Sequence, residues 1–82
     1  MLTSEVVRAA RALLRWEQRD LANASSISLP TVKRLESAPG TLGAHAATVS
    51  ALVKALEAAG VEFIDENGGG RASAYESGNQ NG

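Results

Sequence analysis

Apolar residues recur at helical spacing in four short runs, and the last three are stopped by serine, proline or glycine signals. Runs of this kind bury one face each, so they fold as a small helical bundle around a shared core. Val6, Val7, Ala10, Leu13 and Leu14 predict a helix over Ser4–Arg15, with Ser4 as its N-cap and Arg8, Arg11 and Arg15 on another face. Trp16 is expected to pack at the corner that follows. A second, shorter helix is expected over Glu17–Ala24, with Leu21 and Ala22 inward. Ser25-Ser26-Ile27-Ser28 reads as a turn, because serine hydroxyls compete for backbone hydrogen bonds.

The third helix is predicted over Leu29–Ser37, capped by Ser28, with Val32 and Leu35 as its inner face. Pro30 falls in the first turn, where no intrahelical N–H partner is lost. Ala38-Pro39-Gly40 ends it, and Thr41–Ala44 connects to a fourth helix from His45 or Ala46 to Ala59. Val49, Leu52, Val53 and Leu56 form the stripe of that helix, and Gly60 closes it. Val61–Ile64 has strand character. Residues 65–82 are rich in Gly, Asn and Ser and are expected to form a flexible tail. Within them, Glu66–Gly70 offers a turn that would return Ala72–Tyr75 onto 61–64 as a weak hairpin.

The size and composition exclude whole classes of function. A chain of 82 residues supports one small domain, and the absence of cysteine removes disulfides, thiolate metal sites and a cysteine nucleophile. His45 is the only histidine. No apolar run reaches the roughly 18 residues of a membrane span, and no basic stretch leads into an apolar one, so the expectation is a soluble, cytoplasmic protein. Gly68-Gly69-Gly70 does not precede a helix and no acid–base constellation stands out, which argues against an enzyme and implies no cofactor. The net charge of −1 hides an asymmetry. Residues 1–37 carry six cations against four anions, whereas residues 38–82 carry two cations against five anions. A nucleic-acid face belongs in the first half.

Arg11, Gln18-x-x-Leu21-Ala22, Ile27-Ser28 and Val32-Lys33-Arg34-Leu35-Glu36 stand in one register. Over roughly residues 4–60 this register resembles the Xre family of helix-turn-helix regulators, which includes the lambdoid phage repressors and Cro proteins. Leu56–Gly70 is similar to a variant found among small bacterial members. The resemblance implies an all-α fold: a four-to-five-helix, lambda-repressor-like bundle over residues 1–64, with a short C-terminal β segment and a flexible tail over 65–82.

It also implies roles for single residues. The third helix enters the major groove with Val32 and Leu35 packed behind it, which turns Leu29, Pro30, Lys33 and Arg34 outward as base contacts. Arg34 matches the family position that reaches a base edge, and arginine pairs most often with guanine O6 and N7. Leu29 and Pro30 suit a thymine methyl, and Lys33 also suits a phosphate. Gln18 matches the family glutamine that heads the second helix, binds a phosphate and braces the recognition helix, with Thr31, Ser28, Arg19 and Arg15 as further phosphate contacts. Arg15 and Arg19 serve equally well as surface ion-pair members, as Glu5 and Arg8 do. Arg11 and Glu36 match a structural ion pair. Trp16 reads as core and His45 as helix-terminal surface.

Three departures from the family pattern stand out. Ser26 occupies a turn position usually held by glycine, Glu17 replaces the usual serine cap, and Ala38–Ala47 contains no Lys or Arg. The expectation is therefore a homodimeric regulator of transcription on double-stranded DNA, with Val61, Phe63 and Ile64 as candidates for the dimer surface. The alternative is a helix-turn-helix protein-interaction module or antitoxin whose main partner is another protein. No membrane partner and no small-molecule effector is expected.

Overall fold

The structure, a computed structural model, describes residues 2–66 and 69–74. Four helices, α1 (Ser4–Leu14), α2 (Gln18–Ser25), α3 (Leu29–Ser37) and α4 (Ala46–Ala58), precede two strands, β1 (Val61–Glu66) and β2 (Gly69–Ala74). The chain is thus a mostly helical bundle with a short β segment at its C-terminal side. No helix among the described residues is long and apolar enough to cross a membrane.

The core gathers one stripe from every helix: Val7 and Ala10, Leu21 and Ala22, Val32 and Leu35, Leu52 and Leu56, closed by Leu42 and Val61. Val49 is half-buried against it, as are Leu14 and Trp16. Leu13, expected on the inner stripe, is 45% exposed instead. The buried stripe of α1 runs Val7–Ala10–Leu14, and one residue earlier on a helix turns about 100° away.

The start of α1 is set from a distance. Thr3 and Thr41 form an antiparallel bridge, Ser4 N–H donates to the Gly40 carbonyl at 2.9 Å, and Leu42 N–H donates to the Leu2 carbonyl at 3.3 Å. This pairing keeps Thr3 extended, so Thr3 rather than Ser4 is the N-cap, its Oγ1 accepting from Val6 N–H at 3.1 Å. Ser4 is fully buried. The other end of α1 closes on Arg15 in the left-handed conformation (φ 58°), with Trp16 N–H donating to the Arg11 carbonyl.

The hairpin runs in antiparallel register from Val61 opposite Ala74 to Glu66 opposite Gly69. Strand β1 packs against α4 and β2 against α1. Residues 65, 66 and 69–74, read from composition as tail, are therefore strand: the hairpin onto 61–64 forms, its second strand beginning at Gly69, earlier than the expected Ala72, and Tyr75 lies outside the described residues. A glycine-rich stretch pairs here because Val61 anchors the base of β1 in the core. Residues 75–82 of the expected tail lie outside the described residues.

Candidate nucleic-acid interface

Helices α2 and α3 are joined by three residues, Ser26–Ser28. Ser26 takes the left-handed backbone (φ 61°, ψ 25°) at the position where the sequence lacks a glycine. Ser28 then caps α3: its Oγ accepts from Thr31 N–H at 3.3 Å and donates to Thr31 Oγ1 at 2.9 Å. Pro30 sits in the first turn of α3, where a missing N–H costs nothing. At the head of α2, Glu17 is the N-cap and forms a capping box with Asp20, whose carboxylate accepts from Glu17 N–H at 2.8 Å.

The sequence splits α3 cleanly into two faces. Val32, Leu35 and Glu36 are buried, whereas Pro30, Lys33, Arg34 and Ser37 are exposed on the opposite side. Lys33 and Arg34 have no side-chain partner among the described residues, and the same holds for the exposed Arg15 and Arg19. Leu29 is half-buried: part of it packs against the core and part lines the open groove toward α2.

Glu36 is only 5% exposed and is held by three donors. Arg11 donates from Nε to Oε2 at 2.8 Å and from Nη2 to Oε1 at 2.7 Å, and Gln18 Nε2 reaches Oε1 at 3.1 Å. Arg11 Nη1 also donates to the Trp16 carbonyl at 2.9 Å. One carboxylate therefore ties α3 to α1 and to the first residue of α2, and Arg11 carries the tie on to the corner after α1. The Arg11–Glu36 pair matches the structural pairing implied by the resemblance. The Gln18 bond to Glu36 braces α3 as the resemblance implies for this glutamine, although nothing local relates two side chains 18 positions apart. An open groove between α2 and α3 brings together Glu17, Gln18, Arg19, Leu29 and Lys33. Thr31 is half-buried at the edge of the same helix, and Ser28 is exposed at its cap.

The connector after α3 carries no cation, yet it is held firmly. The Glu5 carboxylate accepts from Gly40 N–H at 3.1 and 3.3 Å. Donation from its own backbone N–H, then from Gly40, and more weakly from the Ser4 hydroxyl, together with the nearby positive charge of Arg8, holds the Glu5 carboxyl below the usual range. Arg8 lies 3.8 Å from Glu5, the surface pair foreseen for it. His45 is an exposed N-cap whose side chain makes no cap bond.

Val61 does not belong to a docking surface. At 1% exposure it is a core residue, and strand alternation puts the half-buried Phe63 on the same inner face. Ile64 lies on the opposite face of β1 and is half-buried. Comparison with known proteins adds no relative: no family model matches the chain, and no curated protein matches it.

Proposed function

We propose that this chain is a cytoplasmic, nucleoid-associated regulator of transcription that binds double-stranded DNA in a sequence-specific manner. In this reading α3 enters the major groove and two copies read a short palindromic operator. The observation that carries it is the division of α3. Its inner face is fixed by Glu36 to Arg11 and Gln18, and its outer face presents Lys33 and Arg34 unpaired among the described residues. A helix held rigidly from behind, with free donors in front, is what groove recognition needs. The likeness of the Gln18–Glu36 register to the Xre family supports the same reading. One module of this size spans few base pairs, so useful specificity needs two half-sites. Ile64 is the residue left to contribute to a dimer contact through β1.

The test is selection of random duplex DNA by the purified chain at two salt concentrations. A palindromic motif that survives the higher salt supports the proposal. Binding without an enriched motif, lost as salt rises, reduces it to phosphate attraction. One observation favours a protein partner: the net charge is −1 and the connector Ala38–Ala47 offers no Lys or Arg to a phosphate backbone. Failure to retain any duplex at low salt decides for that reading.

A further inference from the structure

Resting on the reading of α3 as the groove-facing helix, we infer that each operator half-site is read at guanine, and that neither long side chain on the outer face of α3 reads the amino group of an adenine or a cytosine. The outward face of α3 holds Pro30, Lys33, Arg34 and Ser37. Pro30 has no hydrogen-bonding side chain. Ser37 Oγ donates to the Arg34 carbonyl at 2.8 Å, so its proton is spent within the helix. Ser28 Oγ donates to Thr31 Oγ1 at 2.9 Å, so its proton is spent too, and Thr31 is a short, half-buried side chain beside the cap. The long groups that remain are the Lys33 ammonium and the Arg34 guanidinium, and both are donors only.

The major-groove edges differ in what they ask of a partner. Guanine presents two acceptors, N7 and O6, and is matched by a pure donor. Adenine presents an acceptor beside a donor and needs an amide that does both. Cytosine presents a donor and needs a carboxylate. Helix α3 carries no Asn, Gln or Asp, and its one carboxylate, Glu36, faces inward and is held by Arg11 and Gln18. Thymine presents a single acceptor and a methyl group, and the methyl is the edge that Pro30 fits. Arg34 and Lys33 are adjacent in sequence and so diverge by about 100° around the helix, which places them on different base pairs.

The experiment is a selection from random duplexes followed by fluorescence anisotropy on the enriched duplex. Each guanine is replaced in turn by 7-deazaguanine, which keeps Watson–Crick pairing and removes the N7 acceptor. The expected result is at least one guanine per half-site whose replacement weakens binding by about tenfold. That penalty should shrink severalfold in Arg34→Met or Lys33→Met, both exposed positions whose variants are checked for native circular dichroism and melting. The inference is overturned by an enriched motif that tolerates 7-deazaguanine everywhere, or that responds to 7-deazaadenine instead. It is equally overturned by a sensitive guanine that neither variant affects. These three outcomes leave DNA recognition standing, whereas the absence of any motif removes the underlying reading as well.

Discussion

Arg11 and Glu36 lie 25 positions apart and meet through two parallel hydrogen bonds of 2.8 and 2.7 Å, with the Glu36 side chain 3% and the Arg11 side chain 19% exposed. A fork of this kind is specific to arginine, since lysine offers a single ammonium. Because the carboxylate is buried, removing its partner leaves a charge without compensation. Arg11→Ala is expected to destabilise the fold by about 3 kcal/mol, and Arg11→Lys to recover only part of that loss. Urea denaturation followed by circular dichroism measures both; equal stability of Arg11→Ala and the parent would refute the role of the pair.

Ser26 holds a left-handed backbone that costs a residue with a side chain about 1 kcal/mol or more, while glycine loses somewhat more chain entropy on folding. The difference favours glycine, so Ser26→Gly should stabilise the protein by about 0.5 kcal/mol. Ser26→Val should destabilise it. A lower denaturation midpoint for the glycine variant contradicts the assignment of strain to this turn.

The Glu5 carboxyl is held below its ordinary value by backbone donors, above all its own N–H and then that of Gly40. A carboxyl whose folded-state pKa is depressed contributes stability that is present above its unfolded value of about 4.3 and is lost as pH falls through the folded value. Glu5→Gln should therefore flatten the acid limb of a stability-against-pH curve and change little near neutrality beyond a uniform offset. An unchanged acid limb in the variant rules this linkage out.

Arg34 is exposed, whereas Gln18 is half-buried and bonded to Glu36. Arg34→Ala is expected to reduce the preference for cognate over scrambled duplex while leaving melting temperature unchanged. Gln18→Ala is expected to weaken binding to both duplexes and to lower stability slightly. Anisotropy titrations with the two DNAs separate the roles; equal losses for Arg34→Ala on both would remove it from base recognition.

Val61→Ala should cost about 2 kcal/mol through the cavity left in the core. Ile64→Arg, on the opposite face of β1, should leave the fold intact and weaken association between copies. Sedimentation with and without palindromic DNA distinguishes these effects.

The helices were legible because their signals are local. Ser28 followed by Pro30, with Val32 and Leu35 one turn apart, specifies α3 within nine residues. What was illegible depends on partners distant in sequence. Thr3 and Ser4 both qualify as caps, and only the bridge to Thr41 decides between them. Arg15 closes α1 without a glycine, so nothing in its neighbourhood announces a left-handed residue. Val61 looks like exposed apolar surface until β1 packs against α4 and carries it into the core. At the interface, the outward cations of α3 were foreseen, but the half-burial of Leu29 follows from how α3 leans on α2.

The two-faced build of α3 bears on how such a chain diversifies. Positions 32, 35 and 36 anchor the helix, whereas 30, 33, 34 and 37 contact solvent and add little to its hold on the domain. Substitutions at exposed helix positions of this kind usually change stability by no more than about 0.5 kcal/mol. Mutations can therefore accumulate on the outer stripe with little pressure from folding, and a library varied at those four positions should consist mostly of folded members. What the helix displays is free to drift while what holds it stays in place.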